Sequence, residues 1–160
     1  MNLVFLDYDD VVNKLMFFPN EEKPRYCLPK DNMVNDYQAC RWISKLCLET
    51  NSKIVVTSTW RSYDNYKECL YNGGLDPKVE IIGKTKDFGI EKTRGSEIYD
   101  FIKNFKEPIE HIVIIDDRDD MDMYIPYLVK CKPFVGFTLM EYTQASKILG
   151  KEIKDKLELL

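Results

Sequence analysis

Three short apolar runs in this chain end abruptly in polar residues, and that pattern leaves few folds open. Residues 2–6 (NLVFL) run into Asp7, Asp9 and Asp10. Residues 53–57 (KIVVT) run into Ser58, Thr59 and Arg61, and residues 111–115 (HIVII) into Asp116, Asp117, Asp119 and Asp120. Apolar runs without polar alternation read as strands buried on both faces, the signature of a parallel sheet. Between the first two, Ala39, Trp42, Ile43, Leu46 and Cys47 recur at helical spacing, with Asp36 as N-cap and Asn51 as the end. Helices are also expected over 61–71, stopped by Gly73-Gly74, and over 95–105, 139–149 and 151–160. Further strands are expected over 79–82 and 134–137. Such alternation predicts an α/β fold of three layers, a Rossmann-like parallel sheet with right-handed crossovers. Ligands of these sheets sit at the carboxyl ends of the strands. There this chain gathers its acids, hydroxyls and Arg61.

The length, 160 residues, fits a single domain over 1–160. Residues 14–34, with Pro19, Pro24 and Pro29, read as a short flap or loop. A net charge of -4 argues against holding nucleic acid by bulk positive charge, without excluding a local basic patch. No apolar run approaches the roughly 18–20 residues of a membrane span, and the acidic start MNLVFLDYDD does not read as a secretory signal. The five cysteines, Cys27, Cys40, Cys47, Cys69 and Cys131, are odd in number with no CxxC pair. They read as reduced thiols in a cytoplasmic protein. With His111 the only histidine, zinc clusters and Ser-His-Asp chemistry are poorly supported. His111 starts a strand and reads as structural or solvent-facing.

Acids massed at strand ends repel one another. Two carboxylates about 4 Å apart cost about 4 kcal/mol at an effective dielectric near 20. A hard cation relieves that repulsion, and carboxylate oxygens select Mg²⁺, which favours a few carboxylates, water and a phosphate oxygen. The hydroxyls at 57–59 and a nearby Lys or Arg could hold the remaining phosphate oxygens. A single DxD could be a solvated turn. Two acid clusters and a hydroxyl cluster, each ending an apolar strand, are not explained that way.

The residues also carry a family resemblance. Leu3-Val4-Phe5-Leu6-Asp7-Tyr8-Asp9 resembles the first motif of the haloacid dehalogenase (HAD) superfamily of phosphotransferases. Val55-Val56-Thr57-Ser58 resembles its second motif and Ile114-Ile115-Asp116-Asp117 its fourth. Lys92 and Arg94 stand where the lone base of the third motif is expected. More narrowly, Ser58-Thr59-Trp60-Arg61, Arg94-Gly95-Ser96-Glu97-Ile98, Asp116-Asp117 and Val135-Gly136-Phe137-Thr138 resemble the small HAD domain of Swiss Army Knife RNA repair proteins. Two departures stand out. Asp10 replaces the usual Gly after DxD, and Phe137-Thr138-Leu139-Met140 replaces a GLT segment usually followed by acids.

The resemblance implies a HAD-like core without a large cap domain, because no segment between the motifs is long enough for a folded lid. It implies a Mg²⁺-dependent phosphatase in which Asp7 is the nucleophile and Asp9 the acid and base. Asp7, the main-chain carbonyl of Asp9, Asp116 and Asp117 would form the metal site. Thr57 or Ser58 would hydrogen-bond the phosphoryl oxygens, and Lys92 or Arg94 would neutralise them. Arg61 and Asp10 are candidates for substrate binding. Trp60 reads as a packing residue, and Asp120 has the spacing of a trailing acid. An uncapped site admits a macromolecular phosphate end, and the narrower resemblance implies a nucleic-acid end; small phosphate esters, nucleotides among them, stay open as phosphorylated partners, and no protein partner is evident. The competing readings are a metal-dependent nuclease, an inactive HAD-like phosphate-binding module and, ranked lowest, a receiver-type signalling domain. A receiver would need an Asp after the third strand, where Gly83-Lys84-Thr85 stands.

Overall fold

The structure is a computed structural model that describes residues 1–13 and 36–151. The flap expected over 14–34, Cys27 and the helix expected over 151–160 lie outside the described residues, apart from Lys151. The elements in chain order are β1 (Asn2–Leu6), α1 (Tyr37–Thr50), β2 (Ser52–Val56), a 3-10 turn (Thr59–Ser62) and α2 (Tyr66–Asn72). Then come β3 (Ile81–Lys84), α3 (Arg94–Asn104), β4 (His111–Asp116), a 3-10 helix (Asp122–Tyr127), β5 (Leu128–Lys130) and α4 (Leu139–Ile148). The five strands form one sheet in the order β3-β2-β1-β4-β5, and every pairing is parallel.

Side chains alternate across that sheet as the twofold strand period requires. Val4, Leu6, Ile54, Val56, Val113 and Ile115 face a core closed by α1, α2 and α4. Leu3, Phe5, Val55, Ile112 and Ile114 face the opposite core under α3 and the 3-10 helix. Helix ends follow sequence signals. Asp36 accepts the N–H groups of Gln38 and Ala39 at the start of α1, and Asn51, left-handed at φ 49°, ends it. Thr93 caps α3, and Thr138 with Glu141 forms a capping box on α4.

Three expectations need correction. The last strand is β5 at 128–130, not 134–137. The apolar residues at 134–137 do not share one environment: Phe137 is buried, while Phe134 and Val135 are exposed on a turn closed by a Lys132–Gly136 bridge. The helix expected over 61–71 is split, because Ser58 caps a 3-10 turn at Trp60 and the chain is extended at Tyr63 before α2 begins. The third strand lies two residues later than expected, since Asp76 accepts the Lys78 amide and closes a turn with Val79. No helix among the described residues is long and apolar enough to cross a membrane.

Candidate active site

Register places the acids side by side. Leu6 pairs with Val56 on one flank and Ile115 on the other, so Asp7, Thr57 and Asp116 leave the three central strands at one level. The ladder runs one step further: the Asp7 amide donates to the Ile115 carbonyl at 3.0 Å and the Thr57 amide to the Leu6 carbonyl at 2.9 Å. Asp7, Asp116 and Asp117 then each offer a carboxylate oxygen, all within 4.8 Å of one another. Asp7 and Asp116 are buried and Asp117 half-buried.

Burial and then the charge of Asp116 hold the Asp7 carboxyl well above the usual carboxylate range, although Arg94 and a hydrogen bond with Ser58 pull the other way. Burial likewise raises Asp116 to about 7, against the pull of Arg94 and the Arg118 amide. Asp116 Oδ2 is buried and accepts no hydrogen bond; Arg94 Nε lies 3.1 Å away without hydrogen-bond alignment. A crowded, buried set of hard oxygens with one left unpartnered fits a divalent cation such as Mg²⁺.

Arg94 is the cation built into this cluster. It is 4% exposed. Its Nη2 lies 3.7 Å from Asp7 Oδ1 and its Nη1 3.5 Å from Glu97 Oε2. Lys92 is exposed, and its backbone amide donates to the Gly89 carbonyl. Of the two candidate bases, the fold brings Arg94 to the carboxylates. Of the two hydroxyls, Ser58 bonds Asp7, while Thr57 Oγ1 accepts from Thr85 Oγ1 at 3.2 Å.

Arg61 is also 4% exposed, but it is engaged elsewhere. Its Nη2 donates to Glu97 Oε1 at 2.7 Å and lies 3.4 Å from Asp87 Oδ1, and its Nη1 donates to Thr85 Oγ1 at 3.3 Å. A continuous chain thus runs Thr57–Thr85–Arg61–Glu97–Arg94 and ends on Asp7 and Asp116. The other acids are handles between loops. Asp9 is exposed and accepts from Trp60 Nε1 at 3.0 Å. Asp10 accepts the Phe134 amide at 2.9 Å. Its φ of 57° is the left-handed conformation that glycine adopts freely and Asp tolerates, which accounts for a position where the resembled family has Gly. Asp119 pairs with Lys130. Asp120 accepts the Arg94 amide at 3.1 Å, so it anchors the start of α3.

Sequence reasoning assigned no role to Glu97, Thr85 or Gly95. Glu97 stands three residues after Arg94, a spacing that signals a helix-face pair, but its second partner, Arg61, is 36 residues away. Gly95 lets α3 approach the chain at 121: a Cβ there would lie 2.4 Å from the Met121 carbonyl oxygen.

Residues 3–141 match the family model described as the HAD domain in Swiss Army Knife RNA repair proteins. Comparison with curated proteins and with solved structures found no match.

Proposed function

Because the chain belongs to the family of HAD domains in Swiss Army Knife RNA repair proteins, we propose that it is a metal-dependent phosphomonoesterase working through an aspartyl-phosphate on Asp7. The family itself points to phosphatase-type chemistry. The observation that carries the finer reading is the set of Asp7, Asp116 and Asp117 oxygens gathered within 4.8 Å of one another, with the buried Arg94 beside Asp7 and Asp116.

Asp7, Asp116 and Asp117, with the main-chain carbonyl of Asp9, would hold Mg²⁺, which supplies positive charge against the carboxylates and the phosphoryl oxygens. Its charge favours ionised Asp7, which burial otherwise disfavours. A carboxylate oxygen of Asp7 attacks phosphorus, and the bond to the leaving oxygen breaks as Asp9 gives that oxygen a proton. Asp9 then takes a proton from water, the water oxygen attacks phosphorus, and inorganic phosphate leaves as Asp7 is restored. Ser58 turns its one hydroxyl proton from Asp7 to the phosphoryl group, and Arg94 offsets the charge spread over its oxygens. Thr57 and Arg61 support these groups through Thr85 and Glu97.

The substrate is a phosphate on a nucleic-acid end or a nucleotide. No lid covers the strand ends among the described residues, and the matched family is one of RNA repair proteins. The test is phosphate release in Mg²⁺ from 3′- and 5′-phosphorylated oligonucleotides, nucleotides and sugar phosphates. Release is expected from at least one class, is lost in Asp7→Asn, and is accompanied by a beryllofluoride adduct on Asp7. Cleavage of internal phosphodiesters without phosphate release would favour the nuclease reading instead.

A further inference from the structure

We propose that Trp60 is a positioning residue for this reaction: its indole N–H holds one oxygen of the Asp9 carboxylate and leaves the other to face the leaving group. The inference rests on the phosphatase reading above, in which Asp9 is the acid.

Asp9 is exposed, and among the described residues its carboxylate has one hydrogen-bond partner, Trp60 Nε1 at 3.0 Å. An exposed aspartate held by nothing would sample several rotamers, and a misplacement of about 1 Å at a reacting group can cost about 10²-fold in rate. Trp60 is the opposite kind of residue. It is 9% exposed and stacks on Tyr8 at 6.0 Å between ring centroids, with Tyr63 at 5.7 Å. Tyr8 is itself tied to the Tyr66 carbonyl through its hydroxyl at 2.5 Å. The indole is therefore a fixed post, and its one polar edge meets Asp9.

The donor chemistry fits the role. An indole N–H can only donate, and the carbonyl oxygen of a protonated carboxyl accepts better than its hydroxyl oxygen, so the bond favours the unprotonated oxygen. Oδ1 is that oxygen. When Asp9 is protonated the proton is favoured on Oδ2, the oxygen left free for the substrate. The same turn sets the other half of the reaction. Ser58 contacts Asp7, and Trp60, two residues on, contacts Asp9. One short 3-10 turn thereby aligns nucleophile and acid, although they lie on a different segment.

The test exploits leaving-group chemistry. Proton donation matters for a poor leaving group such as an alkyl or ribosyl alcohol and little for p-nitrophenolate. Trp60→Phe keeps the ring and removes the N–H. In the full chain with Mg²⁺ we expect kcat/KM, which reports the steps up to departure of the leaving group, to fall about 10- to 100-fold for alkyl phosphates and phosphorylated oligonucleotide ends, within the range of general acid catalysis. For p-nitrophenyl phosphate kcat/KM should stay within about threefold, whereas its kcat also carries the hydrolysis of the aspartyl-phosphate, in which Asp9 is the base. Benzothienylalanine introduced at position 60 keeps the bicyclic shape, replaces the N–H by sulfur, and should reproduce the pattern if Trp60→Phe folds poorly. Equal losses on both substrate types, or no loss on either, overturn the inference. Asp7→Asn and Asp9→Asn separate it from the reading beneath it. If Asp7→Asn is inactive and Asp9→Asn shows the leaving-group dependence while both position-60 variants do not, Trp60 does not position the acid and the phosphatase reading stands. If Asp7→Asn retains full activity, the phosphatase reading itself falls.

Discussion

The two ends of the sheet carry charged networks of similar composition and opposite character. At the carboxyl end, Asp7, Asp116, Glu97, Arg94 and Arg61 are all buried. Burial pushes both aspartates upward, and Asp116 Oδ2, Glu97 Oε2 and the Nε atoms of both arginines accept or donate no hydrogen bond. At the amino end, on the last turn of α1, half-exposed Glu49 accepts from Lys45 at 2.7 Å, from Lys151 at 2.6 Å and from the Tyr142 hydroxyl. Burial there is too slight to win, and these hydrogen bonds lower Glu49 to about 2. One network satisfies its charges in the folded chain. The other leaves them short, as expected of the proposed cation and phosphate site.

That contrast predicts where a lost cation is felt as activity. Arg94→Met removes the guanidinium facing Asp7 and Asp116, and kcat should fall about 10³-fold, the scale of losing one preorganised charge in a dry site. Arg94→Lys should recover part of the loss, and Lys92→Ala should leave the rate unchanged. Equal effects at positions 92 and 94 would remove the distinction the fold draws between them.

Arg61, at the same depth, should divide differently. Its guanidinium is taken up by Glu97, Asp87 and Thr85, so Arg61→Met leaves buried Glu97 with Arg94 and the Phe88 amide. Breaking a buried pair on one side costs about 3–5 kcal/mol. Urea unfolding should show a loss of that order, and the folded fraction should keep its rate within about tenfold. A large rate loss at unchanged stability would place Arg61 on the substrate instead.

The division between these arginines marks how far the sequence can be read. Apolar runs ending in Asp7, Thr57 and Asp116 show the strands and the site's level, because buried parallel strands need unbroken hydrophobicity and the register follows. The roles of Arg94 against Lys92 and of Ser58 against Thr57 are not legible, because they depend on which side chain the first turn of a helix or a 3-10 turn directs inward. Arg61 and Glu97 are 36 residues apart, and only the β3–β2 pairing and the docking of α3 bring them together. Trp60 reads as packing from its residue type, which it is; the direction of its N–H is visible only in three dimensions. The displaced last strand shows the same limit: a three-residue edge strand with one buried side chain, Val129, carries too little periodicity to be recognised.

Acid–base behaviour separates the two ends as well. The folded Asp116 carboxyl binds its proton up to about pH 7, against 3.8 ordinarily. A raised carboxyl contributes stability that is full below the ordinary value and is lost as pH rises through the folded one. The metal-free protein should therefore melt several degrees lower at pH 8 than at pH 6. Saturating Mg²⁺ should flatten that fall by meeting the ionised carboxylates, and Asp116→Asn should shrink both the fall and its correction, leaving the part that the burial of Asp7 contributes. A metal-free melting temperature that is flat from pH 6 to 8 would mean that this end carries no excess charge for a cation to meet.

The smallest effect is expected at the amino end and has the opposite sign. The lowered Glu49 carboxyl contributes stability that is present above its ordinary value of 4.5 and is lost as pH falls toward about 2. The group is partly exposed and screened by solvent, so that contribution is about 1 kcal/mol or less. Glu49→Gln should lower the melting temperature slightly at pH 6, and the gap from the parent should narrow as pH falls from 5 toward 2. Molar salt should shrink the gap, because the Debye length then falls to about 3 Å, the separation of these exposed pairs. Activity should be untouched, because Glu49 sits at the end of the strands away from the phosphate. A gap that widens toward acid, or a rate loss in Glu49→Gln, would show that the two networks are coupled through the sheet.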